Sequence, residues 1–174
     1  MATKASFTPD EWARIAASPM VASMAITAAE PSGIWGLLKE SMAGGWALLE
    51  AKQDANASPL VKAVADDIAE PATRDAVRDA FQERFKGSRL ADAKSKAMEE
   101  LRAVSGILDA KAPEDAAAFK SWLRQVAERA AEAGNEGGFL GFGGVAVSDA
   151  EKATLADIAG ALGQGIPGPG IAET

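Results

Sequence analysis

Histidine, cysteine and tyrosine are all missing from this chain of 174 residues. Each absence removes a chemistry. Without His and Cys there is no zinc site of the usual kind, no Ser-His-Asp or Cys-His catalysis and no thiol redox chemistry. Haem held by His, Cys or Tyr is excluded, and so is a di-iron bundle built on Glu-x-x-His. Hard-cation sites made of carboxylates and carbonyls stay open. Positive charge is also scarce: 18 Lys and Arg face 25 Asp and Glu, for a net charge of −7, with neither a basic patch nor an acidic tail. Phosphate-backbone binding needs clustered cations, so no nucleic-acid partner is expected, and an anionic membrane surface is disfavoured. No apolar run approaches the ~18 residues of a membrane span. Residues 1–6 do not open a signal peptide, because no apolar core follows them. The expectation is a cytoplasmic protein with no membrane span, no cofactor, no metal site and no catalytic residue.

What the chain does have is alanine, which favours helix, and a hydrophobic content of 48%, ordinary for a globular chain. Thr8-Pro9-Asp10-Glu11 reads as a capping box, with Pro9 in the first helical position and Phe7 and Trp12 at the staple positions. That helix is expected to end near Ala17. Ser18-Pro19 predicts a second helix to about Ala29, uncharged and buried on most sides. Glu30-Pro31-Ser32-Gly33 breaks it. Residues 34–54 read as a central helix, with Trp35, Leu38, Met42, Trp46 and Leu49 on one stripe and Gly44-Gly45 in its middle. Ser58-Pro59 starts another, and Glu70-Pro71 breaks again. Val77, Phe81 and Phe85 mark a helix over 72–86. Leu90, Ala97, Leu101, Val104 and Leu108 mark one over about 89–110. Pro113 opens a helix to about Ala133, with Phe119, Leu123, Val126 and Ala130 on one face. Ser148-Asp149-Ala150-Glu151 is a second capping box, for a last helix to Leu162 with Gly163 as its C-cap. The stretch 18–31 echoes 58–71 at about 40 residues, a spacing that helical arrays use. Reused start and stop chemistry explains the echo better than a true repeat, because the likeness does not continue downstream.

One stretch breaks the helical pattern. Gly134, Gly137, Gly138, Gly141, Gly143 and Gly144 surround Phe139, Leu140 and Phe142. Loops are normally polar because they lie on the surface. An apolar, glycine-rich one either tucks into the bundle or offers its rings to a partner. Gly141 through Ala146 formally fits G-x-G-x-x-A, but a helix precedes it, whereas the dinucleotide fingerprint requires a strand. The contact candidates are therefore Phe139, Leu140 and Phe142, with Trp35 and Trp46 beside the Gly44-Gly45 pair. The carboxylates Asp66 with Glu70, and Asp75 with Asp79, share helix faces and could hold a divalent cation. Arg74 and Arg78 interleave with the second pair as on a solvated face.

The opening FTPDEW, the PSG at 31–33, and the stretch from APEDAAAFKSWL to GGFLGFGGVAVSDAEKATLADIAGALG resemble a group of uncharacterised bacterial all-helical proteins. The likeness runs from Phe7 to Gly163. It implies a self-contained bacterial unit and carries no activity, ligand or residue role with it. Together these readings predict an all-α single-domain bundle of seven or eight helices with a Gly-rich apolar loop before the last one. Residues 1–6 are expected as a flexible lead-in, 7–163 as the domain and 164–174 as a flexible tail. The helix over 34–54 is expected at the centre, flanked by 19–29 and 114–133. The function expected is that of a non-enzymatic interaction protein, with a protein partner or self-association. The alternative is a module for a small apolar ligand with 134–147 as lid, and the third reading is a carboxylate enzyme using a divalent cation.

Overall fold

A computed structural model of the protein describes residues 2–29, 57–135 and 147–164. These residues are all-helical, with six α-helices and no strand among them. The helices are α1 (Pro9–Thr27), α2 (Pro59–Ala69), α3 (Pro71–Phe85), α4 (Leu90–Lys111), α5 (Pro113–Asn135) and α6 (Asp149–Ala161). The expected helix over 34–54 and the glycine-rich residues 136–146 lie outside the described residues.

The entry to α1 is built as its sequence implies. Thr8 Oγ1 accepts from the Glu11 amide at 3.3 Å, and Glu11 Oε2 accepts from the Thr8 amide at 2.7 Å. Phe7 and Trp12 close the staple with ring centroids 5.9 Å apart. The break expected at Ser18-Pro19 does not occur: α1 runs on through Pro19. An interior proline has no amide hydrogen to give the carbonyl four residues back. Here that carbonyl belongs to Ile15, and the Ser18 hydroxyl donates to it at 2.6 Å. The helix keeps its hydrogen-bond balance by substituting a side chain for the missing amide.

The merged helix is the centre of the described bundle, for α1 packs against all five of the others. Its second half is buried on nearly every side, with Val21, Ala22, Ala25 and Ile26 in the core. Around it lie Leu60, Val61 and Val64 of α2, Leu101, Val104 and Leu108 of α4, Phe119 and Leu123 of α5, and Ile158 of α6, with Leu162 just past the last. Of the stripes predicted for these two helices, Ala97, Leu101, Val104 and Leu108 of α4 and Phe119, Leu123 and Val126 of α5 are buried, and Ala130 is partly buried. Small side chains on α1 let these helices approach closely.

The connections follow from proline and glycine. Glu70, in extended geometry, is at once the C-cap of α2 and the N-cap of α3. Ala112 alone separates α4 from Pro113 of α5. At the end of α6, Gly163 takes φ +70. The Gln164 amide bonds the Ala159 carbonyl at 2.9 Å and the Gly163 amide bonds Gly160 at 3.1 Å, a Schellman closure. Residues 2–6 make contacts of their own. A 3-10 turn forms over Lys4–Ser6. Ala2 is buried, and its amide donates to Asp115 Oδ2 of α5 at 2.8 Å.

Candidate functional site

Among the described residues, two gatherings of charged side chains tie helices together. The first joins α1, α3 and α4. Arg14 donates to Asp10 at 3.1 Å and to Glu100 at 2.9 Å. Arg84 donates to Asp10 at 2.8 Å and lies 3.8 Å from Glu100. Hydrogen bonding from Arg14 outweighs the burial penalty and, with the charge of Arg84, holds Asp10 below the ordinary carboxylate value. Burial works against the charge on Arg14, but its bonds to Asp10 and the charge of Glu100 prevail and raise it. Next to the cluster, the Lys111 ammonium at 2.6 Å, then the Thr8 amide, holds Glu11 low as well. Beneath the ions runs a seam between Ala17, Ser18, Val21, Phe81, Phe85, Leu101 and Val104, too narrow for a water molecule.

The second gathering is where α6 ends against α4 and α5. Lys120 is buried at 7% exposure, yet its ammonium donates to both oxygens of Asp109, at 2.6 and 2.7 Å. Ser105 Oγ donates to the Leu162 carbonyl at 3.3 Å. A Cβ placed on Gly163 would sit 4.0 Å from the Lys120 ammonium. A cation beside the carbonyl end of a helix is favourable. At the other end of α6, Ser148 Oγ accepts from the Glu151 amide at 3.2 Å and Glu151 accepts from the Ser148 amide at 2.8 Å. Glu151 is only 3% exposed, and Val147 packs on the core. On the α5 side, Ala131 is fully buried. The helices on both sides of the sequence 136–146 are thus docked on the core.

The five contact candidates, Phe139, Leu140, Phe142, Trp35 and Trp46, lie outside the described residues. The carboxylate pairs can be placed: Asp66 and Glu70 are both exposed at the end of α2. Arg78 pairs with Asp75 at 3.0 Å and with Asp79 at 3.8 Å on the exposed face of α3. Asp67 accepts from Lys4 at 2.9 Å and from the Trp12 indole at 2.6 Å. Among the described residues no three acidic side chains converge as a metal site would require. An open groove of about 600 Å³ runs between α4 and α6, past Met98, Glu99, Arg102 and Gly160, and the Lys94–Asp157 pair at 2.8 Å spans it. No helix among the described residues is long and apolar enough to cross a membrane.

Sequence reasoning passed over Arg14, Arg84 and Lys120. A signal existed for two of them. Arg14 follows Asp10 by one helical turn, and Lys120 occupies the buried stripe of α5 between Ala116 and Leu123. Arg84 has no local signal, because its partners lie on other helices. Comparison with family models, with curated proteins and with solved structures gives no match to this chain.

Proposed function

We propose that this chain is a non-enzymatic helical interaction protein, and that it contacts a protein partner or a second copy of itself through the apolar, glycine-rich sequence 138–147, with Phe139, Leu140 and Phe142 as the contact side chains. The observation that carries this reading is the docking of both flanks. Buried Ala131 on one side, and Val147 with the Ser148–Glu151 box on the other, dock the flanking helices on the core. Fixed ends lower the ordering cost of any contact made between them. The ion clusters point the same way. Asp10 and Glu11 are stabilised in their ionised form, the opposite of what a general acid needs.

The test is light scattering on wild type and Phe142→Ser over a range of concentrations, with urea unfolding of both. The proposal expects wild type to exceed the monomer mass and the variant to be monomeric at an unchanged unfolding midpoint. Two monomers of equal stability would rule out self-association through this sequence. A loss of about 3–5 kcal/mol, the cost of emptying a core phenylalanine site, would place Phe142 in the core and overturn the proposal. An apolar probe bound by the wild-type monomer and lost in Trp46→Ala would favour the small-ligand alternative.

A further inference from the structure

Helix α3 is held differently from its neighbours. Its 15 residues bury Val77 alone, whereas the 11 residues of α2 bury Leu60, Val61, Val64 and Ala65. Phe81 and Phe85, with ring centroids 4.8 Å apart, are only partly buried over the seam. The remaining ties to α1 and α4 are polar. Arg84, 17% exposed in its side chain, reaches Asp10 at 2.8 Å and lies 3.8 Å from Glu100. Lys96 of α4 lies 5.8 Å from the Phe85 ring centroid and donates to Ser88 at 3.0 Å. Both ends of α3 are places where the chain turns sharply. Glu70 is extended before Pro71. Gly87 has φ +73 with open space around it. Few buried apolar contacts and an exposed outer face are the marks of a unit that opens below the global unfolding free energy.

We propose that α3 is a strap latched by Arg84: it lifts from the bundle as a unit, turning about Glu70 and Gly87, and uncovers the apolar seam of Val21, Phe81, Phe85, Leu101 and Val104 while α1, α4 and α5 stay packed. The proposal is independent of what the sequence 138–147 contacts. Asp10 of α1, which accepts from Arg84, and Glu100 of α4, its ion-pair partner at 3.8 Å, close the latch. Charge-assisted bonds of this kind are the strong ones, so Arg84 sets how often the strap opens.

Native-state amide exchange in low urea tests this. In the wild type, the amides of α3 should exchange through an opening with a smaller urea slope than those of α1 between Ala22 and Ile26, because less surface is exposed. Arg84→Gln should speed exchange in α3 about tenfold, the factor expected for losing ~1.4 kcal/mol, and leave α1 unchanged. Arg78→Gln, which removes ion pairs within α3 itself, should leave both unchanged. A single urea slope shared by α3 and α1 in the wild type would overturn the proposal, as would Arg84→Gln accelerating both helices equally.

Discussion

Two serines on α1 make opposite predictions. Ser18 donates to the Ile15 carbonyl that Pro19 leaves without an amide partner. Ser18→Ala should therefore cost about 1–3 kcal/mol, the penalty for a buried acceptor left unmade. The cost should shrink in a Pro19→Ala background, where the amide returns. Ser23 is 2% exposed and its hydroxyl has no hydrogen-bond partner among the described residues. Ser23→Ala removes a desolvated polar group and should gain up to about 1 kcal/mol. Urea midpoints of the two variants, measured side by side, check the signs; a loss at Ser23 as large as at Ser18 would mean its hydroxyl is satisfied. The contrast also shows where sequence reading fails. Ser58 and Ser18 stand in the same Ser-Pro-apolar-Val context. Ser58 caps α2, accepting from the Val61 amide at 3.3 Å, as its sequence suggests. Ser18 repairs the interior of a helix. Local residues cannot separate these uses, because burial against the five other described helices decides that α1 continues.

Helix ends were the most legible features, since their chemistry is local. Both capping boxes, the Phe7–Trp12 staple, the Glu70-Pro71 break and the Gly163 cap could be read from short strings of residues. Stripes of α4 and α5 were legible for the same reason: their period is internal to the helix. The glycines extend this to a prediction. Gly163 sits at φ +70, and an added Cβ there would meet its neighbours no closer than 3.9 Å. The obstacle to a side chain is thus the backbone, and Gly163→Ala should cost roughly 1–2 kcal/mol. Gly160 and Gly106 lie within α6 and α4, exposed, with nothing within 4 Å of an added Cβ. Alanine at either should gain up to about 1 kcal/mol through helix propensity. Thermal unfolding of the three variants gives the comparison; a Gly163→Ala protein as stable as wild type would show that the closure of α6 does not depend on that turn.

What the sequence could not convey was how distant segments meet. Nothing near residue 2 announces that residues 2–6 are fastened to distant helices. In the folded protein Ala2 donates to Asp115 across 113 residues of chain at 2.8 Å, and Lys4 pairs with Asp67 at 2.9 Å. Two helices far apart in sequence, α2 and α5, are in this way both tied to the segment preceding α1. The ties differ in weight. Lys4 is more than half exposed, so its ion pair is worth at most about 1 kcal/mol. Asp115 is 5% exposed, and removing its donor strands a buried carboxylate oxygen. A chain beginning at Phe7 should therefore lose about 1–3 kcal/mol, most of it through Asp115. Lys4→Ala alone should lose far less. In an Asp115→Ala background the truncation should add little, because coupled partners are not additive. Equal urea midpoints for the full and shortened chains would instead make residues 2–6 a passive extension of α1.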